Sequence, residues 1–219
     1  MNDPSFNVDR DKPGLPRELP PTIAELAASA PPTELGHGTP SEAARSTLAA
    51  LTVEIAFAGI EVIDRQMADA ALAGLLLMHH CLEDSHERSQ LLEDRAGAYW
   101  HGIMHRREGD FSNAKYWFRR VGAHPIHEPL ATYAREITAG MKAASAAAMV
   151  ALSIWNADRF VDLCEQAVAG HPPASFPPDA PERSARDERQ LTSRDVCQRI
   201  QQRECELLLE HCCRQAIGA

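Results

Sequence analysis

The chain has 219 residues, 44% hydrophobic and 24% charged, with a formal net charge of −9. That length holds one sizeable core, and the composition is that of an ordinary globular protein rather than a fibrous or disordered one. The acidic balance argues against a general phosphate-backbone binder, so no nucleic-acid partner is expected.

Eight of the 15 prolines fall between Pro4 and Pro40. Residues 1–40 therefore read as a flexible Pro-rich arm that drapes over the core, with only Ile23 to Ala28 able to form a helical turn or two. Asn2-Asp3-Pro4 is not a basic start before an apolar run, so no secretory leader is expected. A helical domain is expected over 41–219. Its first helix starts near Ser41, where Ala44, Leu48, Leu51, Ile55 and Ala58 recur at helical spacing until Gly59 interrupts. A long helix is expected from Asp64 to Leu92, with Ala71, Leu75, Met78 and Leu82 on one face. Its apolar stretch from Ala70 to Met78 is far shorter than the ~20 residues a bilayer span needs, so no membrane partner is expected.

A helical hairpin follows, with helices near 94–107 and 111–122 broken at Gly109-Asp110. Further helices are expected at 128–138, 141–154 and 157–168. Five prolines between His171 and Glu182 mark a loop, and a last helix runs from about Ser193 to Ala216. Strand-like alternation is nearly absent. The expected fold is all-α, a single helical domain of about seven helices with a Pro-rich arm. The six cysteines form no C-x-x-C pair, and with no leader they read as reduced thiols in a cytoplasmic protein.

Gly102, Gly109, Asp110, Phe111, Ala114 and Phe118 follow one another at the spacing of a helical repeat. Over residues 95–125 the hairpin resembles a single tetratricopeptide repeat, with Pro125 one residue early and Ala98 at the usual leading tryptophan. The resemblance implies that two antiparallel helices approach closely at Gly102 and Ala114 and that Asp110 caps the second. No second copy follows at a 34-residue period, so no solenoid is expected. The wording from Trp100 to Phe111 is also similar to that of an uncharacterised bacterial protein family, which implies no activity.

The hairpin concentrates unusual chemistry. In a chain with 5% aromatic residues, positions 100–120 hold Trp100, Trp117, His101, His105, four arginines and Lys115. Arginine offers a bidentate fork and lysine a point charge, so His101, His105, Arg106, Arg107, Lys115, Tyr116 and Arg119 form a candidate pocket for a small anionic ligand or a peptide terminus. The plain alternative is ion pairing with the abundant carboxylates.

His79, Glu83 and His86 fall at i, i+4 and i+7 on the expected long helix, and His101, His105 and Glu108 repeat that spacing on the next. Both suit a divalent metal ion, although neither is the H-E-x-x-H of a metalloprotease. The alternative is core histidines bonded to their neighbours. On the last helix Glu204 and His211 share the face of Ile200, Leu207 and Leu208. A carboxylate there needs a partner, either a base from the 79–107 region or a metal held with His79 and His86. Cys212-Cys213 has no group placed to lower a thiol pKa, so a thiolate nucleophile is not expected. The preferred reading is a binding protein for a small anion or peptide. A metal-dependent helical enzyme using histidines and Glu204 is the alternative, and an interaction protein with an internal ion-pair network the third.

Overall fold

The computed structural model describes residues 19–40, 42–139, 154–170 and 192–219. Residues 1–18, most of the helix expected at 141–154 and the proline-rich loop of 171–182 lie outside them. The described residues form ten helices and no strand, in one all-α domain. They are α1 (Pro21–Ala28), α2 (Glu42–Ala49), α3 (Val53–Ala56), α4 (Arg65–Met78), α5 (Leu82–Ser89), α6 (Arg95–Glu108), α7 (Phe111–Val121), α8 (His127–Thr138), α9 (Ala157–Ala169) and α10 (Ser193–Ile217).

The expected hairpin is α6 and α7, which pack along their length. Asp94 caps α6 by accepting from the Gly97 amide at 2.7 Å, and Asp110 caps α7 by accepting from the Asn113 amide at 3.1 Å. Gly109 joins them at φ 84°, a conformation that costs a glycine nothing. A Cβ on Gly102 would lie 3.1 Å from the Phe118 ring, so the small residue sets how closely the pair can approach. Helix α6 is buried on every side from Ala96 to Arg107. The apolar side of Tyr99, Trp100, Ile103 and Met104 and the polar side of His101 and His105 are thus both packed against other helices. α5, α4 and α7 all pack against α6, so its histidines and arginines have no route to bulk water except between neighbours.

Two helices expected to be continuous are broken. The Ser41–Ala58 run divides into α2 and α3, with Thr52 accepting from the Ile55 amide at the restart. The Asp64–Leu92 run stops at Met78 and resumes at Leu82, and His80 takes φ 65° in the turn. A non-glycine residue in the left-handed region needs outside support. His80 has it, because its Nδ1 accepts from Arg107 Nη2 at 2.5 Å. The turn ends the shared face that the i, i+4, i+7 spacing of His79, Glu83 and His86 required.

Residues 19–40 are not a loose arm. Ile23 and Leu35 are 0% and 1% exposed, as buried as any core residue. Their carbonyls meet polar groups from distant helices. His79 Nε2 donates to Leu26 O at 2.9 Å, Gln201 Nε2 to Glu34 O at 2.8 Å, and Arg107 to Gly36 O and His37 O, both at 3.0 Å. An irregular chain can be buried only if such partners exist.

Candidate functional site

Two polar clusters occupy the interior beside α6. The first surrounds Arg106, which is fully buried and lies over the Phe160 ring at 4.6 Å. Its Nη2 donates to Glu204 Oε2 at 2.5 Å and its Nε to Gln201 Oε1 at 3.1 Å, while Tyr99 Oη donates to Glu204 Oε1 at 3.0 Å. Burial opposes ionisation of Arg106, but Glu204 more than offsets it and raises the guanidinium above its ordinary range. Burial, reinforced by Glu204, likewise pushes the Tyr99 phenol well up. Glu204 is thus buried and paired with a base from the 79–107 region. It is not a metal ligand beside His79 and His86, because Arg106 and Tyr99 engage both its oxygens.

Arg107 is also a buried cation, and its partners are carbonyls and the His80 imidazole rather than carboxylates. Besides Gly36 and His37 it reaches Leu77 O at 2.6 Å, so it ties the 36–37 segment to the end of α4. Burial lowers its pKa to about 10, which leaves it charged at neutral pH. Lys115 pairs with Asp162 at 2.5 Å and Arg119 with Asp158 at 2.8 Å, both on α9. Tyr116 is exposed and accepts from Arg120 at 3.3 Å. The basic residues expected to converge on an anion are mostly spent on holding helices together. Arg106, Arg107, Lys115 and Arg119 form no common pocket.

The second cluster is different in kind. His86 from α5 meets His101 and His105 from α6, with one ring nitrogen of each within 4.8 Å of the other two. The ring centroids of His86 and His101 are 4.6 Å apart, and those of His101 and His105 are 4.8 Å apart. His101 is 4% exposed, stacks on Trp117 at 4.0 Å, and its Nδ1 is buried with no hydrogen-bond partner. His105 Nδ1 lies 3.1 Å from Glu108 Oε2, which as acceptor would fix the proton there and leave Nε2 a lone pair. The Asn113 amide, 3.1 Å from that Nε2, now donates to it. Burial lowers His101 to about 4, with the neighbouring His105 and His86 adding to it, and burial also lowers His105. Both rings are therefore neutral at pH 7, the form that ligates a metal.

The histidine set thus combines members of the two expected triads. His101 and His105 stand together as their spacing suggested, and Glu108 supports His105 from behind. His79 is turned away to Leu26, and His86 takes its place. Trp117 and Asn113 were not anticipated as parts of the site. Their signal was present, since both lie on the α7 face that follows the Asp110 cap and turns toward α6.

The six cysteines are free and buried, and burial pushes the Cys213 thiol up to about 12, which agrees with no thiolate chemistry there. Among the described residues no helix is long and apolar enough to cross a membrane. Compared with known proteins, the chain matches no family model, no curated protein and no solved structure.

Proposed function

We propose that the protein is a metal-dependent helical enzyme that holds one divalent transition ion on His86, His101 and His105. The observation that carries this reading is His101 Nδ1, a buried nitrogen without a partner beside two other imidazoles. Buried polar atoms in native proteins are almost always bonded, so an orphan on a ring that offers one nitrogen within 4.8 Å of two further imidazole nitrogens points to a missing bond. Imidazole suits zinc, copper, iron and nickel, and three protein ligands leave a coordination position open, as catalytic zinc sites do. An ion held there would polarise an acceptor oxygen or activate a bound water. Glu108 behind His105 fits the carboxylate that commonly orients a ligating histidine.

An anionic substrate suits this reading better than it suits the basic cluster as first read. Arg120 lies 5.0 Å over the Trp117 ring, whose stacking partner is His101, and among the described residues it makes no ion pair. A cation held there would attract a carboxylate or phosphate to the open position.

The test is metal analysis of protein purified without a chelating tag, followed by titration of the apoprotein with cobalt(II). The expected result is one ion per chain and absorption bands of a low-coordinate nitrogen site, both lost in His101→Phe and His86→Phe. A wild-type protein that neither carries nor takes up a metal would remove the proposal.

A further inference from the structure

A separate cavity of about 790 Å³ opens between the end of α7, the turn into α8, α8 itself and the start of α9. Phe118, Pro125, Ala131 and Trp155 give it apolar walls, and His124 and His127 add imidazoles. None of His86, His101 and His105 lines it, so it stands independently of the metal reading.

Two ring nitrogens of the residues lining this cavity lack a hydrogen-bond partner. His127 Nδ1 accepts from the backbone amide of His124 at 3.4 Å, so the neutral ring carries its proton on Nε2. Burial lowers His127 to about 4, which keeps the ring neutral at pH 7. His127 Nε2 is buried without a partner, and so is Nε1 of Trp155, a side chain 9% exposed whose indole nitrogen can only donate. The two rings are 6.3 Å apart at their centroids and inclined by 36°. Two N–H groups on adjacent rings, in one cavity and with no acceptor, lack the same thing. The lining carboxylates do not supply it, because Asp158 is taken by Arg119 and Glu128 bonds neither ring.

We propose that this cavity is a binding site for a small ligand with an aromatic or branched apolar body and a carbonyl or carboxylate oxygen, which accepts from His127 Nε2–H and Trp155 Nε1–H. The apolar walls take the body and the paired donors fix its orientation, the usual division of labour in small-molecule sites. With neutral donors, a carboxylate and an uncharged carbonyl share this chemistry.

Benzamide and benzoate serve as probes of the two cases. Titrated separately into the full-length ¹⁵N-labelled protein, at least one should move the Trp155 indole signal saturably downfield, while the Trp100 and Trp117 signals stay in place. Trp155→Phe identifies the signal by its loss. His127→Phe, which keeps a ring and removes the donor, should weaken binding by roughly tenfold. Ala131→Met intrudes on the apolar wall without changing either donor and should weaken the binding, which covers the case in which His127→Phe does not fold. A Trp155 signal unmoved by either probe means that water alone fills the cavity and overturns the proposal. A shift of equal affinity in His127→Phe, or one of equal affinity in Ala131→Met, overturns it as well.

Discussion

The two buried clusters beside α6 are built from adjacent residues, yet they differ in what their buried polar groups meet. Around Arg106 the charge has a countercharge, and Glu204, Gln201 and Tyr99 interlock with it, leaving Nη1 as its one nitrogen without a hydrogen bond. Around His101 a buried nitrogen points at nothing, and the neighbouring rings are imidazoles rather than acceptors. A network closed on itself fixes helices in place, whereas an open one is stable only because the surrounding packing holds it. The difference separates a part that supports the fold from the part proposed to hold a metal, and substitutions can test it.

The largest effect belongs to the closed network. Glu204→Ala leaves Arg106 charged, buried and without a countercharge, and should cost about 3–5 kcal/mol in denaturant unfolding. Glu204→Gln keeps an acceptor oxygen for Arg106 and offers an NH2 that the Tyr99 hydroxyl can accept from, and should cost measurably less. Equal losses in both variants would show that Glu204 acts through its charge alone, since glutamine keeps its shape.

Next in size is the docked segment before α2. Leu35→Ala empties a fully enclosed position and should cost about 2–4 kcal/mol, which the same unfolding experiment reads. A loss under about 0.5 kcal/mol, the scale of surface changes, would return residues 19–40 to the status of a loose arm.

That segment also marks where the sequence stops being legible. The α6–α7 hairpin could be read because its signals are local: Asp94 and Asp110 cap, Gly109 turns, and Gly102 and Ala114 set the approach. The burial of Leu35 could not, because its irregular backbone is satisfied by Arg107, Gln198 and Gln201, which lie 70 or more positions away. The same limit hid the histidine site. No glycine or proline marks the break at His79-His80, and His80 keeps its left-handed conformation through Arg107 on another helix. A local hint did exist, since Glu83 and Asp84 are acids in the first turn of a new helix, where the dipole favours them. With the break seen, His86 would have been released from His79 and free to pair with His101 and His105.

A gentler effect should follow pH. Burial first, with the nearby His211, His127 and Arg95 adding to it, lowers His124 to about 3. Burial lowers His127 to about 4, and burial followed by Arg107 lowers His80 to about 4. Unfolded histidine titrates near 6.5, so between there and about 4 the unfolded chain binds more protons than the folded one. Stability from these rings is full above about pH 6.5 and declines as pH falls through that window. Urea midpoints from pH 7.5 to 4.5 should follow this decline, and His124→Asn should flatten it. A midpoint independent of pH would mean that these rings protonate without unfolding, against their burial.

The smallest change in stability should come from the open cluster, and its smallness is the point of the comparison. His101→Phe removes the orphan Nδ1 and retains a ring to stack on Trp117, so no bond is broken and one desolvation penalty is relieved. Against metal-free wild type, its unfolding free energy should be within about 1 kcal/mol or slightly higher, since exchanging an unbonded buried polar atom for carbon is nearly neutral. Against wild type with saturating zinc, the variant should be less stable, because only the wild type gains the linkage term that rises with free metal over Kd. The two references must be measured together. A large loss in the metal-free comparison would mean that His101 already has a structural partner, and the two clusters would then be of one kind. A small loss there with no zinc-dependent gap would leave the cluster open but not a metal site.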